Sequence, residues 1–206
     1  MTRLLIIGPP GSGKGTQAQR LSAHLEIVPV STGDIFRMNV LEQTVLGTEA
    51  QRHMDNGDLV PDHLTNDMVR QRLAMSDVRD GFLLDGYPRT LAQVAALDGM
   101  LDSSSQRLDG VLELAVSDEQ VVQRLLARAD NRSDDNEDVI RHRLDLYHEQ
   151  TNAVLSEYAE RGLLTRVDGL GSVNDITDRT LTALAMTTLP RHVEPARGRR
   201  SRLLRY

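Results

Sequence analysis

The chain has no cysteine among its 206 residues. That excludes disulfides, thiol catalysis and any cysteine-held zinc site, and it permits a reducing compartment. Long apolar runs are missing too. The run before the first glycine, Leu4-Leu5-Ile6-Ile7, is too short for a signal peptide or a membrane span. No later run reaches spanning length, so a cytoplasmic location is expected. Positive charge is in deficit: the formal net charge is −6, which argues against wholesale nucleic-acid binding. Lysine is almost absent. Lys14 is the single one, and every other basic residue apart from histidine is arginine. The six histidines are scattered without metal-ligand spacing, and none is assigned a role.

The charge that is present is uneven. From Arg191 to Tyr206 six arginines stand against one glutamate, leaving an acidic body of net −11 over residues 1–190. The basic tail, 189–206, is expected to be a disordered, solvated extension, with contact to nucleic acid or acidic partners as its less favoured role.

The lone lysine sits in Gly8-Pro9-Pro10-Gly11-Ser12-Gly13-Lys14-Gly15-Thr16. An apolar strand pattern precedes this stretch, and a helical pattern with Ala18, Leu21 and Leu25 on one face follows. Strand, glycine turn and helix start together make a phosphate cradle. Glycines let successive backbone N–H groups converge on an anion, and the helix N-terminus adds unpaired amides and partial positive charge. Lys14 would reach the outer phosphates of a nucleotide triphosphate. The general phosphate-loop pattern puts Ser or Thr directly after the lysine, whereas here Gly15 intervenes before Thr16.

Strand and helix periods alternate along the chain, which predicts an α/β protein: a five-stranded parallel sheet with helices on both faces. The predicted strands are Arg3–Ile7, Ile27–Val30, Gly81–Leu84, Val111–Val116 and Leu163–Val167. The expected layout is a core of 1–30, 61–126 and 138–188, a helical insertion at 31–60 and a short polar lid at 127–137. In such sheets ligands bind beyond the carboxyl ends of the strands. The phosphate loop, Ser31-Thr32-Gly33-Asp34 and Asp85-Gly86-Tyr87-Pro88-Arg89 all follow strand ends, so they should meet in one crevice.

Each motif also has a plain structural reading. Thr32 reads as a helix N-cap and Arg37 as a surface arginine. Thr90-Leu91-Ala92-Gln93 has capping-box spacing, and so does Ser117-Asp118-Glu119-Gln120. Asp85, delivered to a strand end, could order water around Mg²⁺. Gln93 offers a donor and an acceptor that could meet an adenine edge. Arg124 and Arg128 share a helix face, and Arg124 reads as solvated or ion-paired. Ile140, Leu144, Tyr147, Thr151, Val154 and Tyr158 form a buried stripe on one helix.

Taken together, these segments resemble adenylate kinases, in the bacterial short-lid form. The loop G-x-P-G-x-G-K-G-T-Q, the stretch S-T-G-D-x-x-R with G-D-L-V-P, and F-L-L-D-G-Y-P-R-T stand in that family's order and separation over roughly residues 1–187. Arg128, Arg132 and Arg143 have the spacing of its lid arginines, with Asn131 where many relatives carry glycine.

The resemblance implies a P-loop nucleoside monophosphate kinase fold and the reaction Mg-ATP + AMP ⇌ 2 ADP. It implies ATP contacts from Gly11, Ser12, Gly13, Lys14, Gly15, Thr16, Arg128 and Gly171. AMP contacts would come from Thr32, Arg37, Asp58, Leu59, Val60, Gly86, Tyr87, Pro88, Arg89, Gln93, Arg132 and Arg143. Lys14, Arg89, Arg132 and Arg143 would be catalytic. Mg²⁺ would be held indirectly through Thr16 and Asp85, with no zinc. The expected partners are ATP and AMP or ADP, with no membrane, and the expected state is a monomer. Two alternatives stand beside it: a kinase for UMP or CMP, and a P-loop protein that binds ATP as a switch and transfers nothing.

Overall fold

The structure, a computed structural model, describes residues 2–127 and 136–188. Five strands alternate with helices in the order β1 (Thr2–Ile7), α1 (Lys14–Leu25), β2 (Val28–Ser31), α2 (Thr32–Leu41), α3 (Val45–Asn56), α4 (Asp62–Leu73), β3 (Gly81–Asp85), α5 (Leu91–Ser103), β4 (Gly110–Ala115), α6 (Asp118–Leu126), α7 (Glu137–Leu146), α8 (Asn152–Glu160), β5 (Leu164–Asp168) and α9 (Val173–Thr188). All five strands pair parallel in the order β2-β3-β1-β4-β5. Each predicted strand is present, displaced by a residue or so at its ends. The displacement puts Ser31, Asp85 and Asp168 on the last rungs of their strands.

The pattern of side chains explains the layering. β1 and β3 lie inside the sheet and are covered on both faces, so they read as continuous apolar runs. Successive residues of β1 point to opposite faces. Leu5 and Ile7 join Val30, Phe82, Leu84, Met68, Val94, Leu97 and Tyr158 in one core. Leu4 and Ile6 join Ala18, Leu21, Leu112, Leu114 and Ile176 in the other, beneath α1 and α9. A third, smaller cluster holds α6 to α7 through Val121, Leu125, Ile140 and Leu144.

β1 sits at the middle of the sheet, where the winding reverses. From it the chain runs out to β2, returns to β3 on one side of β1, then crosses to β4 on the other. A crevice opens beyond the carboxyl ends of the strands at such a reversal. The register fixes what meets there, because Asp85 pairs with Ile6 on one side and Ser31 on the other.

Two helical expectations are modified. The stripe from Ile140 to Tyr158 is not one regular helix. A wider π-type turn, Tyr147–Thr151, separates α7 from α8. Ile140 and Leu144 therefore feed the α6 cluster, whereas Val154 and Tyr158 feed the main core, against which Tyr147 of the wide turn also packs. Such turns recur at functional sites. At α6, Ser117 occupies the cap position but its hydroxyl makes no capping bond.

Candidate active site

β1 ends in the glycine loop. Gly11 (φ 73°) and Gly13 (φ 95°) take left-handed backbone, which costs glycine nothing. At Gly11 a side chain would also strike Leu125 Cγ, 2.7 Å from the ideal Cβ. Gly13 is the N-cap of α1 and has no side chain to offer, and the first turn of α1 carries no acid. The leading amides and partial positive charge of this helix thus face the crevice without a built-in anion, as a phosphate site requires. The Lys14 ammonium arches back over the loop, donating to the Pro9 carbonyl at 2.7 Å and reaching Ser12 Oγ at 3.4 Å. Ser12 is buried inside the loop.

The end of β2 supplies the second wall. Ser31, not Thr32, caps α2: its hydroxyl accepts from the Asp34 amide at 3.2 Å. Thr32 is the first helical residue, 2 % exposed, and donates to the Asp85 carbonyl at 3.3 Å. Arg37 lies over Gly33 and is paired with Asp34.

The end of β3 supplies the third wall. Asp85 is buried, and burial pushes its carboxyl above the ordinary carboxylate range, against the pull of Lys14 and then Arg89. Its Oδ2 points at the start of α1, 3.6 Å from where a Cβ on Gly15 would sit. Gly86 (φ 83°) turns the chain sharply, and a Cβ there would lie 2.6 Å from Thr32 Oγ1. The Tyr87–Pro88 bond is cis. Arg89 Nε donates to the Gly86 carbonyl at 2.9 Å, which holds the guanidinium beside the turn. The Tyr87 hydroxyl donates to Asn66 Oδ1 at 2.7 Å, and burial pushes its pKa well up.

The predicted capping box at α5 is only half formed. Thr90 Oγ1 accepts from the Gln93 amide at 3.2 Å, but the Gln93 side chain does not return to Thr90. Its Oε1 accepts from the Arg89 backbone N–H at 2.8 Å, and its Nε2 donates to Asp62 Oδ1 at 2.7 Å.

These walls enclose a cleft of about 600 Å³. Gly11, Gly13, Lys14, Gly15, Thr16, Arg37, Leu59, Asp85, Gly86, Tyr87, Pro88, Arg89 and Arg143 all line it. It leads into a smaller cavity of about 80 Å³, walled by Thr32, Asp58, Val60 and Gln93 together with Arg37, Arg89 and Arg143. One cavity system therefore gathers the phosphate loop and four arginines, Arg37, Arg89, Arg124 and Arg143. Gly171 (φ 109°), at the turn before α9, is not among the lining residues of either cavity. Arg128 and Arg132 lie outside the described residues, as do Asn131, most of the expected lid and the tail from 189 onward.

The structure corrects the sequence reading of Arg124. It is not a solvated surface residue: it donates to the Ser12 carbonyl at 3.3 Å and to the Gly169 carbonyl at 2.9 Å, and it lines the cleft. It thereby ties the phosphate loop to the turn after β5. Tyr147 and Thr151, taken from the sequence as core stripe, also line the cleft. The available signal for Arg124 was its spacing of four from Arg128 in the sequence.

Comparison with known proteins agrees with this geometry. A family model described as adenylate kinase matches residues 6–163. Among curated proteins, an adenylate kinase of Pseudarthrobacter chlorophenolicus is 63 % identical over 186 residues, covering 89 % of this chain and 97 % of that one. An adenylate kinase of Micrococcus luteus is 59 % identical, covering 89 % and 91 %. One of Thermobifida fusca is 58 % identical over 184 residues, covering 88 % and 97 %.

Proposed function

The chain belongs to the adenylate kinase family and is an ATP:AMP phosphotransferase, and on that premise we propose how its own residues divide the work. The observation that carries the division is the cleft itself. The phosphate loop with Lys14 forms one side, and Arg37, Arg89 and Arg143 form the other. The relatives bear the adenylate kinase name, which favours that reading over a pyrimidine kinase or a non-transferring switch.

The nucleophile is an oxygen of the AMP phosphate, already ionised near neutral pH. No side chain has to accept a proton, consistent with a cleft that, among the described residues, is lined by arginines and Lys14 and by no histidine. The obstacle is repulsion between two polyanions. Catalysis then consists of positioning and of neutralising charge on the transferring group. The amides of Gly11–Thr16 and the Lys14 ammonium hold the ATP phosphates. Arg37 and Arg89 grip the AMP phosphate, and Arg143 reaches the transferring group. Arg128, Arg132 and Gly171 keep the roles the resemblance gives them. Arginine's planar fork suits phosphate better than a second lysine would.

Proteins of this family act on Mg-ATP, and the donors here fit a hard cation. Asp85 carries a buried carboxyl whose Oδ2 lies 3.6 Å from where a Cβ on Gly15 would sit, Thr16 lines the same cleft, and oxygen donors of this kind suit Mg²⁺. When bound, the ion neutralises charge on the β- and γ-phosphates. Asp85 and Thr16 would hold it through its water shell.

On the acceptor side, Asp58, Leu59, Val60, Thr32 and Gln93 line the smaller cavity together with Arg37, Arg89 and Arg143, so a purine edge would lie beside the groups that grip its phosphate. Among the described residues no helix is long and apolar enough to cross a membrane. The proposal extends to a monomer acting in the cytoplasm. Its acidic body disfavours nucleic acid as a partner.

The test is a coupled assay of ADP formation from ATP plus AMP, with AMP omitted as control. Transfer predicts ADP only when both nucleotides are present. ATP consumption independent of AMP would overturn the reading, and a panel of UMP, CMP and GMP checks acceptor choice.

A further inference from the structure

Asp62 is the first residue of α4, directly after Pro61 and two residues beyond Val60 of the smaller cavity's wall. Both its oxygens are engaged by residues of another segment. Oδ1 accepts from Gln93 Nε2 at 2.7 Å, and Oδ2 accepts from Thr90 Oγ1 at 2.9 Å. The Gln93 side chain, 2 % exposed, is held at its other end by the Arg89 backbone N–H at 2.8 Å.

The two contacts on Gln93 agree about its orientation. An ionised carboxylate only accepts, so it must face the NH₂ end, and a backbone N–H only donates, so it must face the oxygen. Turning the amide over would set its oxygen against the Asp62 carboxylate and its NH₂ against an N–H. Each contact uses one of two hydrogen-bonding positions at its end of the amide. One N–H and one oxygen lone pair remain, in fixed order, on a residue that lines the cavity.

We propose that Asp62 is a positioning residue that sets the polarity with which Gln93 reads the acceptor base. This rests on the reading that Gln93 meets that base. Adenine offers an amino donor beside a ring-nitrogen acceptor, which complements an amide presented as acceptor and donor. Hypoxanthine offers the reverse, a carbonyl oxygen beside a ring N–H. With Gln93 locked, hypoxanthine finds like facing like. The lock also joins base recognition to phosphate grip, because the same amide oxygen holds the backbone of Arg89.

The experiment compares AMP with IMP as acceptors for the full chain and for Gln93→Ala, Asp62→Ala, Asp62→Asn and the double variant. Thermal midpoints and KM for ATP are measured alongside. Releasing the amide should lower the AMP-over-IMP ratio of kcat/KM by about tenfold or more in Asp62→Ala, the size expected when one polar partner is left mismatched. KM for AMP should rise while KM for ATP stays within about twofold. Asp62→Asn keeps the shape and can still offer an oxygen to Gln93 but lacks the charge, so its ratio should fall between the two. In the Gln93→Ala background Asp62→Ala should add less than about twofold, because the two act as one unit.

If Gln93→Ala loses the preference while both Asp62 variants retain it, the inference fails and the reading of Gln93 stands. Retention of the preference by Gln93→Ala would sink the reading of Gln93, and this inference with it. Equal losses for AMP and IMP in Asp62→Ala would make Asp62 a structural clamp between α4 and α5 and nothing more.

Discussion

Arg89 and Asp85 stand four residues apart and carry opposite tasks. Removing a charge contact made to the reacting phosphates, here the AMP phosphate gripped by Arg89, costs a large factor in turnover. Arg89→Ala should therefore lower kcat by about 10²–10³-fold, measured at saturating ATP and AMP. A loss below about threefold would remove Arg89 from the catalytic set. Asp85 costs the fold stability, because burial raises its pKa from the ordinary 3.8. A carboxyl with a raised folded pKa favours the fold in its protonated form, and this penalty is present in full above the raised value. Without nucleotide or Mg²⁺, Asp85→Asn should raise the thermal midpoint at neutral pH by about 2–4 °C. The gap between variant and parent should close as pH falls through the raised value toward 3.8. The same variant should need more Mg²⁺ for half-maximal activity. Residues of this kind were legible in the sequence because each motif is local: strand end, glycine and charge lie within a few positions. Arg124 was not legible, because the Ser12 carbonyl it binds is 112 residues away. Nor was Asp62, whose partner Gln93 is 31 residues away.

At the scale of elements, the end of α3 packs closely on α7 at a small residue. Gly57 ends α3 with φ 78°. A Cβ there would lie 2.7 Å from Val139 Cγ1 and 2.9 Å from Arg143 Cγ. Asp58 next to it pairs with His142 of α7 at 2.7 Å. Gly57→Ala should cost about 1–3 kcal/mol of stability through strained backbone, read from denaturant midpoints. It should also raise KM for AMP, because displacement falls on Arg143. Glycine suits a left-handed helix end, but the sequence around Gly57 does not announce the helix packed against it. The wide turn at Tyr147–Thr151 escaped for a related reason. Alternating steps of four and three fit a regular helix as well as two helices joined by a π turn. Two separate apolar clusters, and not periodicity, decide between them.

For the molecule as a whole, sheet order is the feature that matters most. Alternation of strand and helix was enough to foresee a parallel sheet, since each crossover needs a helix. The order β2-β3-β1-β4-β5 depends on which strand each crossover returns beside, and that is set by long-range burial. Two adenosines joined through five phosphates should engage both sides of the cleft at once. At about a hundredfold excess over Kd such a ligand should stabilise the fold by about 2.7 kcal/mol, seen as a higher melting temperature. Absence of any shift would mean that the sides do not work together. Deleting residues 191–206, which lie beyond the family match over residues 6–163, should leave kcat unchanged within about twofold. In the proposed division, most groups that meet AMP follow β2 and β3, with Asp85 of β3 kept for the magnesium. The amides that hold the ATP phosphates lie at the end of β1, in a loop that Arg124 ties to the turn after β5. Heredity can therefore edit the two customers of this enzyme separately. Mutations along one flank of β1 can retune which monophosphate is welcomed, while the machinery that recognises the energy donor is inherited intact.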